Sequence, residues 1–102
     1  MGYAARMIEV RQTEDYRRWF EALRDAMAAK RITARVRRLA DGNPGMHRVL
    51  RGGVCEMKID YGPGYRVYYT QRGDVLVILL CGGDKRTQAA DIAAAERLAS
   101  EV

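Results

Sequence analysis

Two neighbouring segments carry cationic and tyrosine side chains that are suited to binding a phosphodiester. Both segments alternate polar with apolar residues, which is typical of half-buried strands and places the polar side chains on one side of a sheet. The polar side chains on that side are Glu56, Lys58, Asp60, Arg66, Tyr68 and Thr70. Basic groups bind phosphates, and tyrosine stacks on bases or donates hydrogen bonds. This side of the sheet is therefore a candidate RNA-binding surface.

A tight turn at Gly62–Gly64 connects the two segments and sets their expected register. With the turn centred there, Asp60 faces Arg66 and Lys58 faces Tyr68. Asp60 and Arg66 would then form an ordinary cross-strand ion pair. Alternation of polar and apolar residues is also what any half-exposed sheet shows, so the pattern alone leaves open an RNA-binding surface and a merely solvated one.

The overall charge favours an anionic partner. Eighteen Lys and Arg residues face thirteen Asp and Glu residues, which gives a formal net charge of +5. This balance is typical of proteins that bind nucleic acid or an acidic protein, the alternative being a protein whose surface is simply positive. With 102 residues and 48% hydrophobic content, the chain is expected to form a single domain, 1–102, around one modest core.

The sequence gives no sign of export, membrane insertion or metal binding. It has no apolar stretch long enough to span a membrane and no signal-peptide core, so we expect a cytoplasmic protein. Cys55 and Cys81 match no zinc-binding spacing and are expected to be buried, reduced thiols. No cluster of carboxylates or histidines suggests a metal site, and no cofactor is expected. The patterned sequence begins at Met7, so residues 1–6 are interpreted as an extension upstream of an alternative start.

Two helices are predicted ahead of the polar strands. Thr13 is a suitable N-cap for the first, whose apolar residues recur at helical spacing from Tyr16 to Met27. The second is predicted from about Lys30 to Ala40, and it ends at a glycine- and proline-rich turn. Four arginines on this helix either contact phosphate or form a solvated face: Arg31, Arg35, Arg37 and Arg38.

Strands account for most of the remaining chain. Ile8–Val10 is predicted as a short first strand, Val49–Leu50 precedes the polar pair, and the apolar run Val75–Cys81 is predicted as the central strand. Thr87 is expected to cap a last helix. The resulting order, β-α-α-β-β-β-β-α, predicts an α+β domain with a twisted, mainly antiparallel sheet and the helices packed on one face.

Several motifs resemble one known family. The segment Gly62–Tyr69 closely resembles a signature of phage-derived addiction-module killer proteins, in the HigB branch of the RelE/ParE toxin superfamily. The turn Asp41–Gly45, the strand Gly53–Ile59 and the C-terminal segment Leu79–Gln88 resemble further motifs of that family in the same order, and the resemblance covers roughly Met7 to Leu98. Met46 and Arg51 depart from the family pattern, which affects the loop before the third strand.

The resemblance implies a RelE/ParE-like fold and the toxin role of a type II toxin–antitoxin pair. RelE-like members enter the ribosomal A site and cut mRNA by attack of a ribose 2′-OH on the adjacent phosphate, which inhibits translation and requires no metal. The implied partners are a helix-turn-helix antitoxin, the ribosome and mRNA. Two alternatives stay open: a ParE-like inhibitor of DNA gyrase without catalysis, and a nucleic-acid-binding or inactive relative.

The resemblance also implies three catalytic residues. Arg66 matches the arginine that follows Gly-Tyr in the superfamily, and its planar guanidinium suits two phosphate oxygens. Lys58 is expected diagonally across from Arg66, where it would stabilise transition-state charge. Lys85 lies in the loop after the apolar strand, near a basic catalytic residue of RelE-like toxins.

The substrate-binding candidates surround these three residues in the predicted sheet. They are Arg86, Tyr68, Tyr65, Arg48 and His47. His47 is the chain's only residue of the type that titrates near neutral pH, which makes it a candidate proton acceptor; an incidental surface histidine is the alternative. Gln88 and Asp91 are expected either to cap the last helix or to touch substrate.

Overall fold

A computed structural model describes residues 7–102, in which five strands form one sheet and three α-helices pack against it. The strands are β1 (Glu9–Gln12), β2 (His47–Val49), β3 (Val54–Ile59), β4 (Tyr65–Arg72) and β5 (Leu76–Gly83). The helices are α1 (Glu14–Glu21), α2 (Ala26–Ala40) and α3 (Gln88–Glu101), with short 3-10 turns at Arg51–Gly53 and Lys85–Thr87. The α+β class is confirmed, and the elements follow one another as the sequence predicts.

The sheet has the spatial order β1-β5-β4-β3-β2. Only β1 and β5 pair in parallel among the described strands, so the sheet is mainly antiparallel, as predicted. The middle strand is β4, and the prediction of Val75–Cys81 as the central strand is wrong by one position. The strand β5 also continues through Gly82 and Gly83, two residues beyond its predicted end at Cys81.

Those two glycines let helices approach β5 closely from both sides. A Cβ on Gly82 would overlap the Trp19 ring, which comes from α1. A Cβ on Gly83 would overlap the carboxylate of Asp91, which comes from α3. Only glycine leaves room at this end of the strand for both neighbours.

The helices cover both faces of the sheet, so the prediction that they pack on one face is wrong. Under α1 and α2 lies one apolar cluster, which includes Ile32 and Val67. Under α3 lies a second cluster, which includes Leu80 and Ala95. The cause is the uninterrupted apolar run of β5, because alternate residues of an apolar strand give it two faces that must both be covered.

The helical pattern from Tyr16 to Met27 belongs to two helices rather than one. Thr13 caps α1 as predicted, and its Oγ1 accepts a hydrogen bond from Tyr16 N at 3.1 Å. The helix α1 ends at Glu21, and Asp25 caps α2 by accepting hydrogen bonds from the first backbone N–H groups of that helix. Met27 is consequently 48% exposed at the start of α2.

The register of β3 and β4 differs from the predicted one by two residues. Lys58 pairs directly with Arg66, whereas Asp60 lies exposed in the connection and forms no ion pair with Arg66. The cause is the length of the connection, because β3 ends at Ile59 and five residues pass before β4 begins. A slip of two residues keeps every side chain on its predicted side of the sheet, since the side-chain period of a strand is two.

The remaining predictions concern the cysteines and the chain start. Both cysteines are free thiols, as predicted, and Cys81 is buried as expected, whereas Cys55 is only half-buried. Burial raises the pKa of Cys81 to about 12. Residues 1–6 lie outside the described residues.

None of the described helices is long and apolar enough to cross a membrane, and residues 7–102 contain no group of three or more His, Cys, Asp or Glu that would hold a metal ion.

Candidate functional site

A pocket of about 440 Å³ opens on the α3 face of the sheet, towards the β2 edge. Its walls come from β2 and the residue before it, from β3, from β4 and from the first residue of α3. The lining residues are Met46, His47, Arg48, Glu56, Lys58, Arg66 and Gln88. Three cationic side chains and one carboxylate line this pocket, so its lining is net positive and suited to an anion.

The polar residues behind this pocket are buried, so this part of the sheet is not the merely solvated face that the sequence left open as one alternative. Glu56 is 4% exposed, Arg66 is 7% exposed and Tyr68 is fully buried. The helix α3 and the short strand β2 flank this part of the sheet. Buried charges are costly unless they are paired and hydrogen-bonded, so their partners define what the site can do.

Glu56 is the centre of the buried polar network. Its Oε1 accepts a hydrogen bond from Arg48 Nε at 2.6 Å. Its Oε2 accepts one from Tyr68 OH and one from Gln88 Nε2, each at 2.9 Å. Burial raises the pKa of Glu56, but the hydrogen bonds from Arg48, Gln88 and Tyr68 outweigh burial and hold the pKa below its ordinary value. Glu56 is therefore a carboxylate committed to its neighbours and is poorly suited to accept a proton from substrate.

Arg66 is held in place by contacts on two sides of its guanidinium. Its Nη1 donates to Gly64 O at 2.7 Å, and its Nε lies 3.7 Å from Glu56 Oε2. The Nε is buried and makes no hydrogen bond within residues 7–102. A buried guanidinium nitrogen without a hydrogen bond is rare in folded proteins, and the charged group next to this one is Glu56.

Lys58 lies directly opposite Arg66 in the sheet register. Two like charges at directly opposed positions destabilise a sheet. Lys58 is half-buried and forms no ion pair with any residue from 7 to 102. Of these two adjacent cations only Arg66 faces a carboxylate, Glu56 at 3.7 Å, so an anion that binds to both cations would relieve their repulsion.

Lys85 and Arg86 lie beside the pocket rather than in its lining. Lys85 is exposed in the turn before α3, and a Cβ on Gly64 would lie 3.9 Å from Lys85 Cβ and 3.3 Å from Arg66 Nη1. Lys85 is thus at the margin of the pocket, next to Arg66. Arg86 forms an ion pair with Asp84 at 3.0 Å, and its side chain is 81% exposed.

The three remaining candidates have different positions. Tyr68 donates its hydroxyl to Glu56, and its complete burial prevents it from stacking on a base. Burial and this hydrogen bond raise the pKa of Tyr68. Tyr65 lies on the opposite side of the sheet, against the core under α1 and α2. His47 lies exposed in the lining, with its Nδ1 2.9 Å from Gly45 O. Because a carbonyl only accepts hydrogen bonds, Nδ1 is the donor in this contact, and in a neutral imidazole Nε2 is then the acceptor.

Comparison with known proteins identifies the family. Residues 18–100, which include every lining residue of the pocket, match the family model described as "Phage derived protein Gp49-like (DUF891)". The chain belongs to the Gp49-like family. It is also 44% identical over 95 residues to an uncharacterized protein of Haemophilus influenzae, a match that covers 93% of this chain and 96% of that protein.

The central role of Glu56 in this Gp49-like protein was not predicted from its sequence. Glu56 was assigned to the polar side, but the register error placed it away from its partners. In the observed register Glu56 pairs with Arg48 on β2 and with Tyr68 on β4. Gln88, left open between capping the last helix and touching substrate, is the first residue of α3, and its side chain donates to Glu56 instead of capping the helix.

Proposed function

We propose that this Gp49-like protein is the toxin of a type II toxin–antitoxin pair, and that it cuts mRNA on the ribosome by attack of a ribose 2′-OH on the adjacent phosphate. The observation that carries the proposal is the direct pairing of Lys58 with Arg66 in a net positive pocket. The phage origin of the family and the net charge of +5 support a toxin that acts on nucleic acid.

The two paired cations fit the electrostatic demand of this reaction. Negative charge builds up on the phosphate oxygens as the 2′-oxygen attacks, and fixed cations aimed at those oxygens lower the barrier. The planar guanidinium of Arg66 lines the pocket and suits a two-point contact, and Lys58 adds a point charge from the neighbouring strand. Arg48 adds a third cation on the β2 side of the same pocket.

Proton transfer requires an acceptor for the 2′-OH and a donor for the leaving 5′-oxygen. We assign the acceptor to His47, because its Nε2 is unoccupied at the pocket rim. We assign the cation near the leaving oxygen to Lys85, which lies beside Arg66. The 2′-OH gives its proton to His47 and the 2′-oxygen bonds to phosphorus as the bond from phosphorus to the 5′-oxygen breaks. The leaving 5′-oxygen takes a proton from the Lys85 ammonium group, so the products are a 2′,3′-cyclic phosphate and a 5′-hydroxyl.

The proposed partners follow from the same charges. The ribosome supplies anionic RNA on which the toxin acts, and a helix-turn-helix antitoxin would neutralise it. An acidic or helical segment of the antitoxin that covers Lys58 and Arg66 would block the pocket. A complex with these residues uncovered would require neutralisation by another route, such as blocked entry to the ribosome.

A pair of lysine variants tests this function without disturbing the core. Lys58→Met keeps the length of a half-buried side chain that makes no ion pair and removes its charge, so stability should change little. Expression of the wild type should arrest bacterial growth and produce cuts in mRNA by primer extension, and Lys58→Met should reduce cutting by roughly tenfold to 100-fold. Lys30→Met, an exposed residue of α2, is the matched control and should cut like the wild type.

Two results would count against the proposal. Unimpaired growth with verified soluble wild-type protein would remove the toxin role. Growth arrest without mRNA cuts, together with inhibition of gyrase supercoiling, would favour the ParE-like alternative.

A further inference from the structure

Glu56 is the one carboxylate in a pocket whose other charged lining residues are cations. A negative charge near a phosphate site opposes phosphate binding by simple Coulomb repulsion. Glu56 is nevertheless 4% exposed and makes three hydrogen bonds of 2.6 to 2.9 Å, so it is firmly built into the site. Its presence therefore needs a reason other than charge balance.

We propose that Glu56 is the positioning residue of the phosphate site: it fixes the guanidinium groups of Arg48 and Arg66 in the orientation in which they meet the substrate. This inference rests on the proposed function. It assigns no proton transfer to Glu56, whose oxygens are occupied by Arg48, Tyr68 and Gln88.

Arg48 depends most on this contact. It lies on β2, an edge strand of three residues, and its side chain is 56% exposed. A long exposed arginine loses much rotamer freedom when it is ordered, and that loss opposes binding if it occurs only when substrate arrives. The bond from Arg48 Nε to Glu56 orders the side chain beforehand and leaves its two terminal nitrogens for phosphate.

Arg66 is fixed from two directions. Gly64 O accepts a hydrogen bond from its Nη1, and Glu56 Oε2 lies 3.7 Å from its Nε. Gln88 ties the first residue of α3 to the same carboxylate. A single side chain on β3 thus links β2, β4 and α3, which are the elements that form the pocket walls.

Charge balance and positioning predict opposite results for Glu56→Gln. Removal of one negative charge makes the pocket more positive, so Coulomb attraction alone predicts tighter binding of an anion. Loss of the charged hydrogen bond to Arg48 and of the ion pair with Arg66 lets both arginines move, so positioning predicts weaker binding. Glu56→Asp keeps the charge but shortens the reach by one methylene, and it covers the case in which Glu56→Gln fails to fold.

The experiment measures fluorescence anisotropy of a short 2′-O-methyl oligoribonucleotide, which lacks the nucleophilic hydroxyl and stays intact. We expect Glu56→Gln and Glu56→Asp each to bind roughly tenfold more weakly than the wild type. Glu96→Gln is the matched control, because it makes the same charge change on α3 where Glu96 pairs with the exposed Arg51 at 3.7 Å. Unchanged or tighter binding by Glu56→Gln, or wild-type binding by Glu56→Asp, would overturn the proposal.

A second readout separates this inference from the proposed function. In NMR spectra of the arginine Nε–Hε groups, Arg48 should give a sharp, exchange-protected signal in the wild type that broadens in both Glu56 variants. If the wild type binds no oligonucleotide, the RNA site itself is wrong, and the NMR result alone then decides the positioning role. Arg48 and Arg66 signals that are identical in all three proteins would exclude that role.

Discussion

The two faces of the sheet bury side chains of different character. Under α1 and α2 the buried cluster is apolar throughout, with Ile32, Met57 and Leu79 among its members. Under α3 the buried residues divide into an apolar part around Leu80 and Ala95 and a polar part around Glu56. The polar part lies where the pocket opens.

Under the proposed function, this difference separates the residues that stabilise the fold from those that bind substrate. Burial of apolar area stabilises a protein by about 25 cal/mol per Å², so the α1–α2 face is a source of folding free energy. A buried ion cluster gives less, because desolvation of the charges offsets their attraction. We infer that the polar network around Glu56 is maintained for binding, and the following variants test the separation.

The largest effect on activity is expected for Arg66→Ala. Loss of this guanidinium removes the two-point contact with phosphate and should lower mRNA cleavage on the order of 1,000-fold. Stability should also fall by about 1–3 kcal/mol, because Gly64 O and Glu56 both lose a buried cationic neighbour. Primer extension and thermal melts measure the two effects.

Two control variants accompany that change. Arg66→Lys should recover only part of the cleavage, because an ammonium group cannot reproduce the two-point contact. Arg72→Ala lies on the same strand, where Arg72 is exposed and contacts Val102 O, and it should cleave normally. Wild-type cleavage by Arg66→Ala would show that this face of the sheet is not the active one.

On the apolar face we expect the opposite pattern, for which Ile32→Ala is the test. Ile32 is fully buried, and truncation of such a side chain typically costs about 2–5 kcal/mol of unfolding free energy. Cleavage measured well below the melting temperature should change by less than about threefold, because Ile32 is outside the pocket lining. Denaturant unfolding gives the first quantity, and a large loss of cleavage in the folded variant would break the separation of the two faces.

The sequence predicted the elements better than their packing. Periodicity identified β3 and β4, and the capping role of Thr13 was correct, because these signals are local. The apolar run of β5 indicates that both faces of the sheet are covered, because residues on opposite sides of this strand, such as Val77 and Leu80, lie in different clusters. The β3–β4 register was wrong because turn length depends on where β3 ends, which hydrophobic alternation does not specify.

The site was predictable to the extent that strand parity determines it. Lys58 and Arg66 line one pocket because residues of matching parity share a face, and a register error of two residues leaves that unchanged. Tyr65 occupies an odd-numbered position of β4 and therefore lies on the opposite face of the sheet. Arg86 forms an ion pair with Asp84, a local contact that the motif resemblance does not predict. The role of Glu56 required the exact register, since its partners come from both neighbouring strands.

The most direct test of the account is the chemistry of the cut ends in a purified translation reaction. Wild-type protein is added to ribosomes that translate a defined mRNA, and the downstream fragments are labelled with polynucleotide kinase with and without prior phosphatase treatment. Attack by the 2′-OH predicts fragments with a 5′-hydroxyl that label without phosphatase, and none of these fragments with Arg66→Ala. Intact mRNA, or fragments that carry a 5′-phosphate, would contradict the proposed reaction.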